Sequence, residues 1–236
     1  MTTRQGRRPD QLRSVEILVD YLEQPMGSVL YSQGKTKVLC TASLDEGVPR
    51  WMRDQGRGWL TAEYSLLPAS TGERTQREAS AGKQKGRTVE IQRLIGRALR
   101  SVIDFEALGE RTLWVDCDVL QADGGTRCAS ISGAWVAAAR ALGKAGLSRA
   151  LPESVAAVSL GIVGGELLLD LDYVEDSGAE VDLNVVMTGD ERLVEVQATA
   201  ERATFDREQL DELLDLGAAG IATIRAAQEA ALDAPA

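Results

Sequence analysis

In the stretch QADGGTRCAS, residues 121–130, two glycines end a strand-like run and set a threonine and an arginine just ahead of a run of small apolar residues. A strand that turns into a helix through glycine presents successive backbone N–H groups at the bend, and glycine's tolerance of positive φ lets an oxyanion come close to them. The helix N-terminus adds partial positive charge, Thr126 a hydroxyl donor, and Arg127 a fork that can hold two phosphate oxygens. Gly125, Thr126 and Arg127 are therefore a candidate phosphate cradle, although Gly-Gly before a helix is more often just a turn. A second constellation lies in YVEDSGAEVDLN, where Asp176 falls in a Ser/Gly turn and Asp182 on the polar face of the next strand, with Glu180 and Asn184. Such carboxylates suit Mg²⁺, which commonly bridges one or two protein carboxylates to substrate phosphates. On their own they are better read as a polar hairpin edge in water. Together the cradle and the carboxylates point to phosphoryl chemistry run by positioning and charge neutralisation. The chain contains no histidine, which excludes His-based triads, histidine general bases and zinc sites that need imidazole.

The elements that must position these residues follow from periodicity. Alternating or apolar runs at 36–44, 58–67, 112–120, 154–163, 166–174, 180–187 and 193–200 are expected strands, and Gly164-Gly165 reads as a hairpin turn between two of them. A helix is expected from near Thr88, with Ile91, Leu94, Ile95, Ala98, Leu99 and Val102 on its core face. Its other side carries a ridge of Arg93, Arg97 and Arg100, with Arg87 just before it. A second helix follows GGTR, and a third opens at Asp206 and Gln209 in capping-box spacing and buries Leu210, Leu213, Leu214, Ile221 and Ile224. Alternating strands and helices without a low-complexity linker fit one domain over 1–236, of mixed α/β type. Strands run into a helix twice, which suggests a duplication with halves at roughly 1–110 and 111–236.

Composition narrows the setting. Three cysteines, Cys40, Cys117 and Cys128, lie in apolar patterns and read as buried thiols of a reducing compartment. The first residues carry no apolar stretch and no run of eighteen apolar residues occurs, so a soluble, cytoplasmic protein with no membrane partner is expected. The net charge is -10, unfavourable at first sight for a nucleic-acid substrate. Yet residues 72–100 hold eight Lys or Arg against three Glu, while 164–217 hold sixteen Asp or Glu against three Arg. A basic patch on an acidic body suits a local anionic polymer or a neighbouring copy of the chain.

The motifs GSVLYSQGKTKVLCTAS, GWLTAEYSLLP, GRTVEIQRLIGRALR, DCDVLQADGGTRCASISGA, EDSGAEVDLNVVMTG and LVEVQATAE, in this order and spacing, resemble the ribonuclease PH family of phosphorolytic exoribonucleases. The resemblance implies an α+β core of two βαβα halves with mixed sheets flanked by helices. It implies phosphate-dependent removal of 3'-terminal nucleotides from transfer RNA precursors and other RNA, releasing nucleoside diphosphates, with nucleotide addition as the reverse reaction. Arg87, Gly125, Thr126 and Arg127 match the family's phosphate-binding residues, and Asp176 and Asp182 its catalytic, metal-binding pair, with Mg²⁺ as cofactor and inorganic phosphate as co-substrate. Arg74 and Arg77 match loop arginines that bind RNA, and the implied assembly is a ring-shaped hexamer, a trimer of dimers. Four positions depart from the family's pattern: Gln5, Ala69, Cys128 and Ala198. Two rivals are a non-catalytic RNA-binding ring subunit of the same fold, expected to lack the cradle or the aspartates, and a small-molecule kinase, expected to carry a long Gly/Ser-rich loop. The chain has the cradle and the aspartates and lacks such a loop.

Overall fold

Two β-sheets form from apolar runs, most of which alternate between a buried and an open face, and the helices fill the space that these faces leave. In the computed structural model, which describes residue 4 and residues 6–234, five strands make the first sheet. They are β1 (Val15–Val19), β2 (Gly27–Gln33), β3 (Thr36–Glu46), β4 (Trp59–Leu66) and β5 (Arg111–Gln121), in the order β1-β2-β3-β5-β4. All pairs are antiparallel except β4 with β5. That parallel pair needs a crossover, supplied by the one-turn α1 (Glu78–Ala81), α2 (Gly86–Arg100) and the one-turn α3 (Phe105–Leu108). After β5 comes α4 (Thr126–Lys144), then β6 (Val155–Val163), β7 (Glu166–Leu169), α5 (Tyr173–Gly178), β8 (Val181–Thr188), β9 (Leu193–Ala200) and α6 (Arg207–Asp233). The second sheet, β7-β6-β8-β9, is wholly antiparallel.

The helix α4 lies between the sheets, packed on β2, β3 and β5 on one side and on β6 on the other. Its abundance of Ala and Ser allows that: Ala129, Ala134, Ala137, Ala138 and Ala141 are all buried. Strand β6 is buried on both faces, and its alternation sorts the contacts. Val155 and Ala157 join the core beneath α4, while Ala156, Val158, Leu160 and Ile162 join a second core with Leu213, Ile221 and Ile224 of α6. Fully burying one such aliphatic side chain is worth about 1.5–3 kcal/mol, so this doubly covered strand anchors the second sheet.

Most of the expected elements form, with differences that have physical causes. The capping box at Asp206 and Gln209 is made in both directions, and Gly164 and Gly165 adopt positive φ in the turn that pairs Val163 with Glu166. On α6, Leu213, Ile221 and Ile224 are buried, whereas Leu210 and Leu214 are only partly so. The strands β1 and β2 were not among the expected ones. In β2 all residues but Leu30 are buried, Ser28, Ser32 and Gln33 included, so it shows no alternation to read. The run expected as a strand over 166–174 stops at Leu169. There the Asp172 carboxylate accepts from the N–H groups of Val174 and Glu175, and the Glu175 carboxylate accepts from the Asp172 N–H, which starts a helix. Asp176 therefore sits on α5 and not in a turn.

Candidate active site at the start of the fourth helix

Gly124 and Gly125 both take left-handed conformations, with φ of 77° and 66°. A side chain on Gly124 would run into the backbone of Leu171 and Asp172, so the chain can pass here only as glycine. Gly125 then caps α4 without any side-chain hydrogen bond, in contrast to the boxed starts of α5 and α6. The first N–H groups of α4 thus lack a side-chain acceptor, the condition under which a helix start favours an anion. Thr126 is buried and its hydroxyl lies 3.0 Å from that of Tyr64 on β4. Arg127 is held from two sides, donating to Gln197 Oε1 on β9 at 2.8 Å and to Glu90 Oε1 on α2 at 3.2 Å.

The second sheet brings the carboxylates to the same place. Asp182 and Asn184 alternate onto the face of β8 that meets the start of α4, where the Cys128 thiol donates to Asn184 Oδ1 at 3.2 Å. Asn184 pairs in register with Gln197, the residue that holds Arg127. Asp182 is pushed up to about 6, first by burial and then by the like charge of Asp176, against the pull of Arg127 and Arg87. Asp176 keeps an exposed edge, yet protein crowded around its carboxyl raises it as well, against the pull of Arg87, Arg127 and Arg13. Arg87, Arg127, Asp176 and Asp182, singled out from the sequence, therefore share one local field. Among the described residues no group of three or more His, Cys, Asp or Glu is arranged to hold a metal. The aspartate pair offers hard oxygen ligands whose charge Arg127 and Arg87 only partly offset, a donor set that fits Mg²⁺ if substrate and water complete its shell.

Other expected residues fall elsewhere. Arg77 lines a cleft of about 670 Å³ with Lys83, Lys85 and Arg87, over the carboxylates of Glu63, Asp116 and Asp118, while Arg74 is exposed on the same loop. The arginine ridge of α2 does not act as one surface. Arg97 makes a bidentate pair with Glu195, and Arg100 turns in to the Leu60 carbonyl and over the Trp59 ring. Ala69 and Ala198 are exposed, so neither methyl is crowded, and Gln5 lies outside the described residues. Tyr64, Glu90 and Gln197 escape the sequence reading. The spacing of Glu90 from Arg87, one helical turn, is the one signal that could have pointed to any of them.

Two family models match the chain: the first domain of the 3' exoribonuclease family over residues 11–142 and its second domain over 153–220. The ribonuclease PH of Bacillus pumilus is 56% identical over 230 residues, covering 95% of each chain. That of Syntrophomonas wolfei is 54% identical over 233 residues, covering 97% of this chain and 98% of the other. The chain belongs to the ribonuclease PH family. Membership at this identity carries the enzyme class, a phosphate-dependent 3'-to-5' exoribonuclease and nucleotidyltransferase of transfer RNA processing. The α+β fold is that of the ribonuclease PH core and is shared with more distant structures. Rice (Oryza sativa) Rrp46 superposes with a TM-score of 0.80 at 20% identity over 98% of this chain and 99% of that one. A chain of the Archaeoglobus fulgidus exosome with RNA bound to the active site gives 0.78 at 24%, covering 94% and 91%. No helix among the described residues is long and apolar enough to cross a membrane.

Proposed function

We propose that this ribonuclease PH family chain performs phosphorolysis at the start of α4, with Arg87, Gly125, Thr126 and Arg127 holding inorganic phosphate and Asp176 and Asp182 serving the scissile bond. The observation that carries this reading is that β4, β8 and β9 bring Tyr64, Asn184 and Gln197 onto the uncapped start of α4, with Arg127 held there by Gln197. A phosphate oxygen attacks the phosphorus of the terminal nucleotide, the bond to the preceding 3' oxygen breaks, and that oxygen takes the electron pair and then a proton. The products are a nucleoside diphosphate and an RNA shorter by one residue. Arg127 and Arg87 orient the nucleophile and offset part of its charge, which is where most of the catalytic gain in such reactions lies. Mg²⁺, when held by Asp176 and Asp182, supplies positive charge for the leaving oxygen.

Arg74 and Arg77 contact the RNA backbone leading to the site, in a reading supported by the basic rim of the cleft. The protein assembles as a hexameric ring, a trimer of dimers, in the cytoplasm. The fold is one domain over 1–236 with related halves at roughly 1–110 and 111–236. Incubation with a 3'-extended transfer RNA and Mg²⁺, with and without inorganic phosphate, tests the chemistry. Nucleoside diphosphates that appear only with phosphate, and vanish in Arg127→Ala and Asp182→Asn, are expected. Monophosphates made without phosphate would mean hydrolysis, and RNA binding without product would favour a non-catalytic ring subunit.

A further inference from the structure

Residue 4 and residues 6–13 precede the first strand and supply no group to the reaction above, yet Arg4, Arg7 and Arg13 point into the protein. Arg13 is buried, and its Nε and Nη2 donate to the two oxygens of Asp170 at 3.0 and 2.6 Å. Its Nη1 donates to the Asp123 carbonyl at 2.5 Å, and Nη2 reaches the Gly124 carbonyl at 3.5 Å. Arg13 thus holds the backbone that leads into the phosphate turn. Gly34 leaves room for it, since a Cβ there would lie 2.6 Å from Arg13 Cδ.

Arg4 and Arg7 reach the other half of the site. Both meet Glu175, which is 1% exposed: Arg4 Nε is 2.8 Å from Oε1 and Arg7 Nη2 is 3.3 Å from Oε2. They also donate to the Leu169 and Asp170 carbonyls at 2.5 and 3.1 Å. Glu175 immediately precedes Asp176 on α5, a helix of six residues. So short a helix has almost no stability of its own, and its orientation must come from what grips it. Removing this much charge from water is costly and a greasy arm would hold the chain at least as firmly. What the aligned contacts supply, Arg7 Nη2 to Glu175 Oε2 and the two arginines to the Leu169 and Asp170 carbonyls, is direction.

We propose that Arg4, Arg7 and Arg13, ahead of the first strand, act as an arginine strap in which Arg13 positions the phosphate turn and Arg4 and Arg7, through Glu175, position Asp176, so that these three side chains set the spacing between the two halves of the site. The strap rests on the phosphate and Mg²⁺ roles proposed above, and the experiment separates the two ideas. Full-length protein without RNA is titrated with MgCl₂ alone and with inorganic phosphate alone, following the melting temperature, and kcat and the phosphate KM are measured alongside. Glu175→Gln and Arg7→Lys are expected to raise the half-saturating Mg²⁺ concentration about tenfold and lower kcat, as loss of an outer partner of a ligand does, with the phosphate KM within about twofold. Arg13→Lys is expected to do the reverse, raising the phosphate KM and its half-saturating concentration about tenfold with the Mg²⁺ response within about twofold. Variants that melt earlier but keep both half-saturation values, or shift both equally, would overturn the strap. If Glu175→Gln fails to fold, Arg7→Lys, which keeps the charge and loses the fork, decides the matter. A wild-type protein that responds to neither Mg²⁺ nor phosphate would remove the proposed site itself, and the strap with it.

Discussion

Asp182 shows how a single carboxyl can cost stability and still be kept. Its ordinary value is 3.8 and the fold raises it to about 6, so the folded state binds the proton more tightly than the unfolded chain. The penalty is absent below pH 4, grows as pH rises through this interval, and is complete above about 6. Each unit corresponds to about 1.4 kcal/mol, and solvent screening of a half-buried group brings the expected net to about 1–2 kcal/mol. Asp182→Asn should therefore be more stable than wild type in urea denaturation at pH 8, the gain fading by pH 4, while being inactive. Because proton and metal compete for the same oxygens, stabilisation by Mg²⁺ should increase between pH 5 and 7 in the wild type and rise less in the variant, where only Asp176 still titrates. A melting series in MgCl₂ at several pH values reads this directly. At this scale Arg127 and Asp182 stand out in the sequence through the glycine pair and the neighbouring acids, and their proposed roles come from the family resemblance. Glu90 and Gln197 do not stand out, because an acid on a helix face and an amide on a strand become partners of Arg127 only when distant elements meet.

At the scale of elements, the two glycine pairs make a controlled comparison. Gly124 and Gly165 both have positive φ, but a Cβ on Gly165 meets nothing within 4 Å, while one on Gly124 would lie 2.5 Å from the Leu171 carbonyl oxygen. Gly165→Ala should lose only the backbone preference, about 1–2 kcal/mol. Gly124→Ala should lose about 1–3 kcal/mol more through forced displacement and also raise the phosphate KM. Chemical denaturation and phosphate-dependent kinetics of the pair check both halves of the claim. The long helices and the hairpins were legible because their signals are local: the stripe on α2, the box at Asp206, the Gly-Gly turn. The strand β2 was hidden by burial on both faces. The helix α5 was hidden because an apolar run, ELLLDLDYV, continues past the point where Asp172 and Glu175 cap each other, and six residues give no period to read.

For the whole molecule, charge distribution matters more than net charge. An acidic chain that binds RNA through one basic rim should show binding that weakens with salt, and Arg77→Ala should reduce the slope of log K against log salt by about 1. Filter binding of a short RNA across a salt series measures it. The buried pair Arg13–Asp170 belongs to this scale too, since it ties the segment before β1 to the end of β7. Asp170→Asn leaves the guanidinium without its counter-charge and should cost about 3–5 kcal/mol in urea denaturation. The same tie has a consequence in time. Translation delivers the amino-terminal end first, but Arg4 and Arg7 grip groups more than 160 residues further along. A nascent chain that has emerged as far as α4 already carries the arginine segment and the glycine turn but still lacks Glu175, Asp176 and Asp182. If Asp176 and Asp182 serve the scissile bond as proposed, an unfinished copy at the ribosome, surrounded by RNA, lacks the groups that would degrade it.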